Sequence, residues 1–161
     1  MAARHQHRLI ESGSQAPGFR LPRLDGGETA LSELISHGSV LLVFFKVTCP
    51  VCQLTMPFLE RVHQAGGLPV VGISQNDPED TSDFNRRFGV TFPTLLDPED
   101  SFPASNAYGI SSVPTSFLVE PDGRISRVIE GWRKRDIEAL GTMAGARVIR
   151  PGDNVPEWKA G

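Results

Sequence analysis

The chain has 161 residues, 39% apolar and 22% charged, which suits one folded domain and excludes global disorder. Its net charge of -3, with no basic stripe, gives no footing for nucleic acid, and no run approaches the roughly 20 apolar residues that span a bilayer. The opening stretch MAARHQHRLIESGSQ lacks the apolar core of a secretory signal, so with Met1 as the natural start the expectation is a cytoplasmic protein without a membrane partner.

From Ala16 to Leu34, APGFRLPRLDGGETALSEL gives short extended pieces about an Asp25-Gly26-Gly27 turn, then a brief helical turn. Residues 39–47, SVLLVFFKV, form a near-continuous apolar run, the pattern of a strand covered on both faces. A helix is expected from Pro50, whose missing N–H has no intrahelical partner in a first turn. Val51, Leu54, Phe58 and Val62 recur at helical spacing and predict its buried face, with Pro57 kinking it from inside. LPVVGIS at 68–74 predicts a second buried strand. Residues 79–88 predict a helix with Phe84 and Phe88 on one face and Gly89 as its stop. A short extended piece at Thr94–Leu96 and a short helix near Ala104–Tyr108 follow. Strands at 115–119 and 124–130 flank a Pro121-Asp122-Gly123 hairpin turn, and residues 134–145 form the last helix. The end, RPGDNVPEWKAG, reads as coil. The boundaries are thus a flexible arm over 1–13, one domain over 14–149 and a tail over 150–161. The order of elements is that of an α/β sheet with helices on both faces.

The two cysteines, Cys49 and Cys52, lie three positions apart. A structural disulfide usually closes a longer loop, because cross-linking near neighbours removes little chain entropy. Without an export signal, such a pair points to redox chemistry or to metal. A zinc site would need further ligands; there is no second cysteine pair, and His5, His7, His37 and His63 supply no obvious partners, so no metal is expected. Two inert buried thiols are the remaining alternative. Disulfide exchange requires a thiolate, and Cys49 ends a buried strand and opens a helix, where unpaired N–H groups and the positive end of the helix dipole favour negative charge. Cys52 lies one turn further on. That order makes Cys49 the nucleophile and Cys52 the resolving thiol, with no cofactor required. Lys46, three residues before Cys49, either places its ammonium near the sulfur or stands as a solvated lysine at a strand end. Pro50 and Val51 between the cysteines, together with Lys46, are the positions expected to modulate the reduction potential.

Three segments, APGFRLPRLDGGETALSEL, FFKVTCPVC and VPTSFLVEPDGRI, give the chain a likeness over residues 14–145 to the thioredoxin-like superfamily. It most resembles the TlpA-like disulfide reductases, which are related to the redoxins. The resemblance implies a thioredoxin fold, with a central mixed sheet flanked by helices and an N-terminal extension. It also implies a cis peptide at Val113-Pro114 facing the cysteine pair. Proline there donates no backbone hydrogen bond, leaving Val113 free to bind an extended substrate segment. Pro57 matches the kinked active-site helix of the family. Three positions depart from the pattern: Val43 replaces a buried Asp, Thr55 replaces a Glu, and Thr48 replaces a Trp. No carboxylate is therefore expected beside Cys52 to take its proton.

The expected partners are disulfide-containing proteins and a thiol electron donor. A peroxiredoxin-like peroxidase is the neighbouring alternative, but its Pro-x-x-x-Thr-x-x-Cys motif fails here: Phe44 stands at the proline and Val51 at the cysteine when Thr48 is aligned. A redox-regulated binding module, in which the pair switches an interaction without turning over, is the alternative from another class. Trp132, after Gly131, reads as packing; Trp158 reads as an anchor for the tail or a contact between chains; Asp97 and Glu130 read as solvated strand ends.

Overall fold

The computed structural model describes residues 8–161. Strand β1 (Arg20–Pro22) pairs antiparallel with β2 (Glu28–Ala30) across the Asp25-Gly26-Gly27 turn, which Arg23 braces by an ion pair to Asp25 at 2.8 Å. The short helix α1 (Leu31–Leu34) leads to β3 (Val40–Phe45), buried at every residue. Helix α2 (Pro50–Ala65) then crosses to β4 (Val70–Ser74), and α3 (Pro78–Phe88) crosses to β5 (Thr94–Leu96). The Asp77 carboxylate caps α3 by accepting from Asp80 N–H at 2.8 Å, and Gly89, at φ 69°, ends it. Helix α4 (Pro103–Tyr108) returns the chain to the antiparallel hairpin β6 (Thr115–Val119) and β7 (Ile125–Glu130). A two-residue strand, β8 (Trp132–Arg133), runs straight into α5 (Lys134–Ala144).

The main sheet has the order β5-β4-β3-β6-β7, with β3, β4 and β5 parallel and the last two antiparallel. This is the mixed sheet of a thioredoxin fold. Because side chains alternate across a strand, Phe44 and Phe45 point to opposite faces. Phe44 stacks with Tyr108 of α4 and with Phe117, and Phe45 packs on Phe84 of α3. Helix α2 lies against both α3 and α5. Helices thus cover both faces and the sheet edge carrying the C-terminal ends of β3 and β4 stays open.

Four expectations are corrected. The buried face of α2 was expected from Val51, Leu54, Phe58 and Val62; Phe58 and Val62 are buried, but Val51 and Leu54 are only half-buried. Cys52, Thr55, Met56, Leu59 and Glu60 complete the buried arc, because sheet and neighbouring helices enclose α2 more widely than one stripe. The polar members are tolerated because each is bonded: Thr55 donates to Val51 O at 2.7 Å, and Glu60 accepts from Thr91 N–H at 2.7 Å and Phe92 N–H at 3.0 Å. Asp97 is buried, not solvated; its two oxygens accept from Ala104 and Ser105 N–H at 3.0 and 2.7 Å and so cap α4.

Of the arm expected to be flexible over 1–13, the first seven residues lie outside the described ones, and the rest is docked. Ile10 N–H donates to Tyr108 O at 3.1 Å and Gly13 N–H to Ile125 O at 2.7 Å, while Leu9 and Ile10 pack on the core. Gly109 makes this approach possible, since a Cβ there would collide with the backbone of Arg8. The tail expected as coil over 150–161 contains β9 (Trp158–Lys159), paired antiparallel with β8. Asp153 binds Arg61 of α2 through two hydrogen bonds of 2.7 and 3.3 Å, and the buried Trp132 indole donates to Pro156 O at 2.6 Å. Trp132 also packs edge-on against Phe58, so it is the packing residue expected, whereas the Trp158 side chain is 56% exposed and its residue joins the tail to the domain by pairing with Arg133.

Candidate active site

The end of β3 delivers Lys46, Val47 and Thr48 to the open sheet edge, and Cys49 caps α2 with extended backbone, φ -88° and ψ 115°. Pro50 occupies the first helical turn, where its fixed φ suits the helix and no hydrogen bond is lost. Gln53 and Asn76 hold the loop: Gln53 Nε2 donates to Val47 O at 3.1 Å, and Val47 N–H donates to Asn76 Oδ1 at 3.0 Å. Both were missed from sequence. A signal for Asn76 existed in topology, because residues just past parallel strands gather at the same edge as the strand-to-helix junctions.

Both cysteines are free thiols, Cys49 half-buried and Cys52 fully buried. Cys49 Sγ accepts from Cys52 N–H at 3.1 Å, as a capping side chain does. When protonated it donates to Val113 O at 3.3 Å. The hydrogen bond from the Cys52 thiol lowers the Cys49 pKa to about 6, against the cost of partial burial, with help from the N–H groups of Cys52 and Val51 and from the Lys46 charge. Burial pushes the Cys52 thiol in the opposite direction, far above its ordinary value, and negative charge at Cys49 adds to that. The two thiols of one motif therefore differ sharply in acidity.

The Val113-Pro114 peptide is cis and Val113 faces Cys49, so the structure brings the segment 46–52 together with Val113 and Pro114. Pro114 O accepts from Gly131 N–H at 2.8 Å, tying this loop to β8. The Thr55 hydroxyl is committed to its own helix, and no carboxylate among the described residues hydrogen-bonds to Cys52. One neighbour was not anticipated. The tail passes Gly131, and Gly161 lies so close to the Val113 carbonyl that a Cβ there would collide with it.

The AhpC/TSA family model matches residues 12–128. Thiol-disulfide oxidoreductase ResA of Geobacillus thermodenitrificans is 34% identical over 134 residues, which cover 80% of this chain and 75% of that protein. The ResA of Bacillus subtilis is 30% identical over 126 residues, 76% of this chain and 69% of that protein. A thiol:disulfide interchange protein of the thioredoxin family from Chlorobium tepidum TLS has a similar structure, with a TM-score of 0.68 at 26% identity, covering 84% of this chain and 98% of that one. Family, fold and paired thiols coincide, and the chain belongs to the AhpC/TSA family as a thioredoxin-fold thiol–disulfide oxidoreductase.

Proposed function

We propose that the chain exchanges its Cys49–Cys52 dithiol with disulfides of protein substrates, Cys49 attacking and Cys52 resolving. The observation that carries this reading is the contrast between a half-exposed, acidic Cys49 at a helix start and a buried, weakly acidic Cys52 one turn below. An extended substrate segment would pair with the Val113 backbone, beside the attacking sulfur.

In the reductive direction, the Cys49 thiolate attacks one sulfur of the substrate disulfide. A Cys49–substrate S–S bond forms as the substrate bond breaks, and the departing thiolate takes a proton. Cys52 then gives up its proton and attacks Cys49 Sγ, forming the internal disulfide and releasing the second substrate thiol. The substrate gains two electrons from the protein and two protons, one given up by Cys52 and one drawn from solvent because Cys49 starts as its thiolate, and an external thiol donor restores the dithiol. The reverse sequence oxidises a dithiol substrate. Because no acid or base among the described residues is bonded to Cys52, water is the available acceptor for its proton. Phe44, where the peroxidase motif has proline, favours exchange with disulfides over reduction of peroxides.

The test is reduction of insulin disulfides with dithiothreitol as donor. The chain is expected to accelerate precipitation over dithiothreitol alone, Cys49→Ser to abolish the acceleration, and Cys52→Ser to accumulate a mixed disulfide visible by mass. No acceleration with a reactive Cys49 would favour a redox-switched binding module instead.

A further inference from the structure

A small cleft of about 180 Å³ opens beside the cysteine pair, between the end of β3, the start of α4 and the segment before Pro114. That volume corresponds to about six waters, room for a single side chain. One wall is apolar, with Phe102 and Val113; another is polar, with Gln75, Ser105 and Ser112; Lys46 supplies the one charge in the lining. Three features make this a shaped site. Gln75 and Ser105 are buried and bonded to each other at 2.9 Å, so the polar wall is fixed. Phe102 is held in the left-handed region at φ 43° and ψ 53°, the one described non-glycine residue with positive φ, and such a conformation persists only where its surroundings impose it. Lys46 forms no ion pair among the described residues.

The cleft shares Val113 with the nucleophile, whose thiol meets the Val113 carbonyl at 3.3 Å, and Cys49 N–H reaches back to Lys46 O at 3.4 Å. A substrate cysteine in contact with Cys49 therefore brings the side chain of an adjacent residue to the cleft mouth. The nearby Asp97 charge is directed at the first amides of α4 and does not line the cleft. We propose that this cleft is a substrate-selecting pocket that receives an acidic side chain next to the reacting cysteine, its methylenes on Phe102 and Val113 and its carboxylate at Lys46. The inference rests on the disulfide-exchange reading and adds a substrate class to it: protein disulfides flanked by Glu or Asp.

The experiment uses disulfide-linked peptides identical except for Glu, Gln or Lys placed immediately before or immediately after the cysteine, each mixed with the fully reduced full-length chain in a single turnover. The second-order rate constants are expected to follow Glu, Gln, Lys at one of the two positions, with Glu about three- to fivefold above Lys, the size of an exposed ion pair. In Lys46→Glu the order reverses. The ratio between peptides does not depend on the thiolate fraction of Cys49, so an effect of Lys46 on that thiol cancels. Equal rates for the three peptides at both positions overturn the pocket while leaving exchange intact. Absence of reduction of any peptide overturns the exchange reading and the pocket together.

Discussion

Cys49 is a half-exposed sulfur whose charge is stabilised mainly by one hydrogen bond from its own motif partner. Its alkylation by iodoacetamide should rise with a midpoint near pH 6, the value to which its pKa is lowered, and not near the roughly 8.5 of a free thiol. In Cys52→Ser the midpoint should move up if the sulfur partner supplies most of the effect, since a neutral hydroxyl is a different donor. The stability consequence has a definite sign. A folded-state pKa below that of the unfolded thiol means that the ionised group stabilises the fold above the unfolded value, and that this contribution is lost as pH falls through about 6. Urea unfolding of the reduced chain against Cys49→Ser should show the gap widening from pH 6 upward; a constant gap refutes the assignment. Lys46 acts through space on the same sulfur and is the weakest of its influences. Lys46→Met should therefore move the alkylation midpoint upward only slightly; an unmoved midpoint removes Lys46 from the thiol chemistry.

Helix α2 carries the site, and its buried side is held by a polar residue. Glu60 accepts hydrogen bonds from Thr91 N–H, Thr91 Oγ1, Phe92 N–H and Gln64 Nε2 at 2.7 to 3.1 Å, fixing the connection between α3 and β5. Burial opposes its charge, yet these bonds prevail and its pKa is lowered. Glu60→Gln keeps the shape and swaps an acceptor oxygen for a donor facing other donors, which should cost about 1–3 kcal/mol in urea unfolding. The wild-type advantage should be present above the ordinary carboxylate range near pH 4.3 and disappear as pH falls below it. Elements dictated by local pattern were legible in the sequence: the apolar run of β3, the proline that opens α2, the Pro121-Asp122-Gly123 turn between β6 and β7. So was the position of both thiols, because a strand-to-helix junction is a local feature. The burial of Glu60 was invisible, since the backbone amides of Thr91 and Phe92 that it binds lie about thirty positions away and nothing in one helix announces them. Asp97 was misjudged for the same reason: its two acceptors are used by a helix that starts several residues later. The cis peptide followed from the family likeness, not from any property of Val113 or Pro114 alone.

Across the whole molecule, both ends of the described residues are tied to the domain by hydrogen bonds that periodicity does not encode. The Trp132 indole N–H reaches Pro156 O, Lys134 N–H reaches Glu157 O at 2.9 Å, and Arg61 of α2 grips Asp153. Trp132→Phe deletes the first of these and leaves a space against Phe58, so a loss of about 1–3 kcal/mol is expected, with earlier proteolysis after residue 150 than in wild type. Arg61→Gln should loosen the same segment with a smaller loss, because the Arg61–Asp153 pair is partly exposed. An unchanged digestion pattern in both would show that strand pairing alone holds the tail. The complete burial of Cys52 has an effect of another kind. An irreversible alkylating reagent, which cannot be displaced by a second thiol, should stop at one adduct per native chain and reach two only in chains that have opened. The fraction of doubly labelled molecules in a mass spectrum then counts opening events of the domain, so the motif doubles as an internal clock for unfolding that needs no added label.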